Sequence, residues 1–149
     1  AVPPAVADGL ARVKRSLLGY VPPGSPWLAD GVEYSLSKPG KLIRPTLTLL
    51  CGQALGQGAE RDGLVEVATV GELIHVATLL HDDVLDESDL RRGRPTTRQR
   101  FGNRLSILSG DWLLAQASLK LAAIGHVGIV ALFAQVLGDL CEGEVLQMQ

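Results

Sequence analysis

A chain of 149 residues with 46% hydrophobic and 20% charged residues can build one core and is too apolar for wholesale disorder. Its net charge of −2 argues against a dedicated nucleic-acid binder on bulk electrostatics. Aromatic residues make up only 4%. Leu, Ala, Val and Gly carry the apolar load, which suits packed helices better than a sheet sandwich.

No sustained alternation of apolar and polar residues occurs, whereas helical periodicity recurs along the chain. Val6 to Leu18 is amphipathic, with Val6, Leu10, Val13 and Leu17 on one face. Pro22, Pro23 and Pro26 then break the chain. A second helix is predicted from Trp27 to Leu36, ending before Ser37-Lys38-Pro39-Gly40. Pro45 suits the first turn of a third, Thr46 to Leu55, closed by Gly56 and Gly58. The longest element runs from Leu64 to about Ser88. A basic loop follows, Arg91 to Arg104, and Leu105–Ile124 and Val127–Gln149 complete an all-α helical bundle of about six helices.

Leu121 to Gly138 lacks Asp, Glu, Lys and Arg for 18 residues, the lower edge of a membrane span. Gly125, His126 and Gly128 interrupt it, so it reads as a joint between two buried helices and not as transmembrane. Cys51 and Cys141 form neither a disulfide framework nor a zinc site. Their apolar surroundings predict small buried hydrophobes in a reducing cytoplasm. The N-terminus lacks the apolar stretch of a signal peptide. The last helix stops in mid-pattern without a capping glycine or proline. Residues 1–149 therefore read as one unit that is part of a larger bundle.

Charge is concentrated. Asp82, Asp83, Asp86, Glu87 and Asp89 place five of 16 acids in eight residues, and six of 14 bases (Arg91, Arg92, Arg94, Arg98, Arg100, Arg104) follow directly. On a helix, His75, Asp82, Asp86 and Asp89 share one stripe, with Asp83 beside it. Acids at a helix C-terminus oppose the macrodipole and repel one another. A polyvalent cation removes both penalties, and carboxylates with no cysteine nearby favour Mg²⁺ over zinc. Magnesium held by few carboxylates completes its shell with water and phosphate, and arginine forks match phosphate oxygens. A diphosphate bridged by magnesium is the predicted ligand.

His81-Asp82-Asp83-Val84-Leu85-Asp86 with Arg91-Arg92-Gly93 resembles the first aspartate-rich motif, DDxxD with its RRG tail, of the trans-type polyprenyl diphosphate synthases. Gly40-Lys41-Leu42-Ile43-Arg44-Pro45 is similar to that family's GKxxRP motif. Glu72-Leu73-Ile74-His75, Phe101-Gly102-Asn103, Ser109-Gly110-Asp111 and Gly143-Glu144 with Gln147 continue the pattern in order. The second aspartate-rich motif of the family is absent from these residues, so the resemblance is to the N-terminal half.

That resemblance implies a magnesium-dependent condensation of isopentenyl diphosphate with an allylic prenyl diphosphate. It assigns Asp82 and Asp86 to Mg²⁺, with Asp83 supporting them in catalysis. Lys41, Arg44, His75 and Arg92 would bind the diphosphate of isopentenyl diphosphate, Arg91 the allylic diphosphate, and Gln147 would lie near the allylic site. Ala77 and Thr78, five and four residues before the first aspartate, would limit chain length. Both are small, which points to medium- or long-chain products. Activity would need the missing C-terminal half, a second helical subunit, or self-association. The alternatives are a non-catalytic regulatory or binding subunit of a prenyl synthase and a class I terpene cyclase fragment. A cyclase has no second diphosphate substrate for Lys41, Arg44 and His75 to hold. Binding of nucleic acid by the arginine loop is disfavoured by the neighbouring acids.

Overall fold

A computed structural model describes residues 1–56 and 63–149. Seven helices and one two-stranded hairpin make up the fold among these residues. The helices are α1 (Pro4–Leu18), α2 (Pro26–Leu36), α3 (Ile43–Ala54), α4 (Leu64–Leu85), α5 (Thr97–Phe101), α6 (Asn103–Ile124) and α7 (Val127–Gln147). Strands β1 (Leu90–Arg91) and β2 (Arg94–Pro95) lie between α4 and α5. The expected glycine stop at Gly58 falls outside the described residues.

Helix α4 is the centre of the bundle. Val70, Leu73, Ile74, Ala77 and Leu80 are buried along it, against Leu113, Ala117 and Leu121 of α6. The apolar face expected on α1 is observed: Val6, Val13 and Leu17 are buried and Leu10 packs beside them. Two of the close approaches within the bundle depend on glycine. A Cβ on Gly9 would sit 2.9 Å from the Leu49 side chain, and one on Gly110 would overlap the His81 ring. Relieved of a side chain at 110, His81 Nε2 lies 3.2 Å from both the Ile107 carbonyl and an Asp111 carboxylate oxygen. Ser106 Oγ donates to the Leu80 carbonyl at 2.8 Å. The Ser109-Gly110-Asp111 segment thus belongs to the seam between α4 and α6.

Four expectations need correction. Helix α4 ends at Leu85 with Asp86 as its C-cap, because Glu87 takes φ 51°, a left-handed conformation that cannot continue a helix. Asp89 therefore leaves the acidic stripe, and Arg98 Nη1 donates to its carboxylate at 2.7 Å. The basic segment is not a bare loop. Leu90 pairs with Pro95 and Arg91 with Arg94. Arg92 and Gly93 between them have φ 53° and 71°, the two positive values of a type I′ turn. Cys51 and Cys141 are exposed, not buried. Finally, α7 has no buried residue. Ile129, Phe133 and Leu137 rest against the core, while Leu132, Val136, Leu140 and Leu146 face outward. The joint before it is as expected, with Gly125 at φ 72° and His126 capping α7 by accepting from the Ile129 N–H. Among the described residues one helix, α4, is long and apolar enough to cross a membrane, and half of that stretch is buried in the bundle.

Candidate active site

Two neighbouring regions form around the C-terminal half of α4. The first is a cleft of about 520 Å³ between the loop joining α2 to α3, one face of α4, and the hairpin. Lys41, Arg44, His75, Arg91 and Arg92 all line it. Those five residues are spread over 52 positions, from 41 to 92, and the fold brings them to one wall-to-wall space. Leu42 enters α3 with φ 51°, turning the chain sharply so that Lys41 and Arg44 flank the start of the helix. Pro45 sits buried in that first turn, where its missing N–H costs no helical bond. The positive end of the α3 dipole thus adds to the two cationic side chains.

Arg92 reaches the cleft from the tip of the hairpin. Its guanidinium occupies the space that a Cβ on Gly40 would take, so glycine at position 40 is what lets the two segments close. His75 is half-buried on α4. Burial first, and then the charges of Arg44, Arg92 and Arg91, push its pKa down to about 4. It is neutral at pH 7 and can donate one ring N–H. Glu72, one turn earlier on the same face, is buried at the cleft wall. Burial raises its carboxyl above the ordinary range, partly offset by Arg44 and Arg92. Glu72 enters the sequence reading only as part of the Glu72-Leu73-Ile74-His75 string. Its i, i+3 relation to His75 is the signal that places it here.

The second region is the acidic end of α4. Asp82 and Asp86 are one helical turn apart. Burial is the largest cause raising the Asp82 pKa; the charges of Glu144, Asp86 and Asp83 add to it, and Arg91 opposes it. Glu144, which the sequence offers only within the Gly143-Glu144 motif, thus acts on the acidic end from α7. Gln147, one turn further along α7, is exposed. Asp83 has a different environment from its neighbours. It is 4% exposed and accepts from Arg91 Nη2 at 2.8 Å and Arg91 Nε at 3.0 Å. Asp83 and Arg91 are thus engaged with each other across the foot of the hairpin.

Ala77 is fully buried, and its carbonyl oxygen lies 3.1 Å from where a Gly110 Cβ would be. Thr78 is partly exposed and donates to the His75 carbonyl at 2.9 Å. The two positions expected to limit chain length are thus unequal: one is in the α4/α6 seam, the other at its margin.

Among the described residues, no three His, Cys, Asp or Glu side chains converge closely enough to enclose a metal ion. Asp82 and Asp86 nonetheless fit Mg²⁺. They are hard oxygen donors, burial and the neighbouring acids disfavour the charged form of Asp82, and Mg²⁺ commonly takes only one or two carboxylates and fills its shell with water and phosphate.

An all-α frame thus sets a carboxylate turn beside a separate cationic cleft. Residues 25–149 match the polyprenyl synthetase family, and the chain belongs to it. It is 42% identical over 149 residues to solanesyl diphosphate synthase 2, chloroplastic, of Arabidopsis thaliana, covering 95% of this chain and 35% of that protein. A decaprenyl diphosphate synthase from Rhodobacter capsulatus superposes with a TM-score of 0.90 at 34% identity, over 97% of this chain and 44% of that one. A polyprenyl synthase from Caulobacter crescentus, crystallised with calcium and isoprenyl diphosphate, gives 0.90 at 31% identity over 97% and 43%. The chain thus spans about a third of the curated relative and under half of the solved structures.

Proposed function

We propose that residues 1–149 are the N-terminal, diphosphate-binding half of a trans-prenyltransferase that condenses isopentenyl diphosphate with an allylic diphosphate to make long-chain products. The observation that carries this reading is the cleft lined by Lys41, Arg44, His75 and Arg92 next to, and distinct from, the Asp82–Asp86 turn. A reaction between two diphosphates needs two such places, whereas a terpene cyclase needs one.

In this reading Lys41, Arg44 and Arg92 hold the diphosphate of isopentenyl diphosphate, and neutral His75 donates to one of its oxygens. Holding that anion fixes the isopentenyl double bond relative to the allylic carbon and removes the entropy cost of their encounter. Asp82 and Asp86 would hold Mg²⁺, which supplies positive charge to the departing allylic diphosphate. Arg91 stands between the two regions, and its remaining N–H donors and charge favour the same leaving group. The calcium and isoprenyl diphosphate in the Caulobacter relative support a divalent ion and diphosphate chemistry here. The solanesyl and decaprenyl products named for the relatives, with small residues at Ala77 and Thr78, support a long product.

Completion of the bundle falls to a second helical chain, the rest of a longer chain, or a second copy. The outward apolar side chains of α7 support such a cover, since exposed apolar patches of this kind mark interfaces. Two unpaired cysteines suit a reducing compartment such as the cytoplasm.

The test is incorporation of labelled isopentenyl diphosphate with farnesyl diphosphate and magnesium, by this chain alone and mixed with a chain carrying a second aspartate-rich motif. Magnesium-dependent incorporation in at least the mixture is expected, and its loss with Asp82→Ala. Saturable binding of both diphosphates with no incorporation in any mixture would favour a regulatory binding subunit.

A further inference from the structure

The hairpin that delivers Arg92 has two residues in each strand. Hairpins this short do not hold their place in water unaided. Contacts with the surrounding helices must set the position of Arg92. On the side of β1, Arg91 is paired with Asp83 of α4. On the side of β2, the contacts converge on one half-buried side chain of α2, Tyr34. Its hydroxyl donates to the Pro95 carbonyl at 2.6 Å. The Arg94 guanidinium lies over its ring, 3.6 Å from the centroid. From there Arg94 Nη2 donates to Ser37 Oγ at 3.2 Å. The outer side of the ring meets Phe101 of α5 edge-on, with centroids 5.5 Å apart, and Arg100 at 4.6 Å. Tyr34 therefore fastens β2 and α5 to α2 through one hydrogen bond, two cation–π contacts and one aromatic pair.

We propose that Tyr34 is a positioning residue for the diphosphate cleft: it anchors β2 to α2 and, through the hairpin, holds the Arg92 guanidinium against Gly40. The inference rests on the reading of that cleft as the isopentenyl diphosphate site. A ring fixed on α2 restrains Pro95 and Arg94, and these restrain the two turn residues that follow β1. Gly40 belongs to the loop leaving the same helix. Anchoring at Tyr34 thus sets both halves of the Arg92–Gly40 contact from one element.

The experiment is a double-mutant cycle in binding of isopentenyl diphosphate to the 149-residue chain without magnesium, using Tyr34→Ala, Arg92→Ala and the pair. Y34A is expected to weaken binding about tenfold, and R92A by at least as much. In the R92A background Y34A should add less than about twofold, because its effect passes through Arg92. Tyr34→Phe, which removes only the hydroxyl, should weaken binding by only about threefold. If Y34A does not fold, the same cycle with Y34F decides the matter on that smaller loss. Equal, multiplicative losses in both backgrounds would assign Tyr34 a general structural role and overturn the inference while leaving the cleft intact. No binding by the wild-type chain, or none of it lost in R92A, would overturn the cleft reading and this inference with it.

Discussion

Arg91→Ala would strand a buried charge. Asp83 accepts two bonds from Arg91, at 2.8 and 3.0 Å, and its side chain is 6% exposed whereas that of Arg91 is 38% exposed. Removing one partner of a fully buried pair costs about 3–5 kcal/mol. Solvent reaches Arg91 and screens the pair, so the loss here falls at about 2–3 kcal/mol. For a chain of this size that lowers the melting temperature by roughly 5–10 °C. The reverse deletion is milder. Asp83→Ala releases an arginine that can turn to water, and about 1 kcal/mol is expected. Thermal melts followed by circular dichroism measure both. A melting temperature for R91A within about 2 °C of wild type, or D83A worse than R91A, would refute the argument. If D83A abolished magnesium-dependent diphosphate binding while R91A preserved it, Asp83 would join Asp82 and Asp86 at the metal site.

Gly40→Ala forces the Arg92 guanidinium out of the position it occupies, so affinity for isopentenyl diphosphate should fall about tenfold with little change in melting temperature; titration calorimetry reads the first and a melt the second. His75, with its pKa lowered to about 4, binds its proton more weakly folded than unfolded. Its contribution to stability is present above about pH 6.5 and is lost as the pH falls through the window down to 4. Urea unfolding of His75→Asn at pH 7, 5.5 and 4.5 should show a shallower loss than wild type, and an equal slope would refute the assignment. Glu72, whose pKa is raised, acts in the opposite sense, so the comparison must be made at constant Glu72. Thr78→Phe in the complete enzyme should shorten the product on chromatography, whereas Ala77→Phe overpacks the α4/α6 seam and should fail by unfolding.

Much of the helical frame is legible in the chain, because burial on one side of a helix imposes a period that α1 keeps, and the long, nearly uncharged run of α4 marks the helix at the centre. The cleft is legible in part: the acids and arginines from Asp82 to Arg104 stand out by their uneven placement, whereas Lys41, Arg44 and His75 are singled out by the motif resemblance. Boundaries set by single conformations are not. Nothing in the run from Asp86 to Ser88 announces that Glu87 turns left-handed, so α4 reads three residues too long and Asp89 is drawn into the wrong stripe. Partner choice over long separations is equally hidden. Asp83 looks like its neighbours in a string of acids, and only the return of the hairpin gives it Arg91. Tyr34 meets Pro95 across 61 positions, and Glu144 acts on Asp82 from another helix. The cysteines read as buried because their neighbours are apolar, yet helices here carry apolar side chains on faces that this bundle leaves open.

The central claim is that two diphosphate places exist side by side, one metal-dependent and one not. Titration calorimetry separates them in one set of variants: isopentenyl diphosphate without magnesium, and a bisphosphonate with it, on wild type, the Asp82→Ala/Asp86→Ala double variant, and the Lys41→Ala/Arg44→Ala double variant. Loss of bisphosphonate binding alone is expected in the aspartate variant, and loss of isopentenyl diphosphate binding alone in the basic variant. A single variant that abolished both in a folded chain, or binding of both ligands unchanged in either, would contradict it.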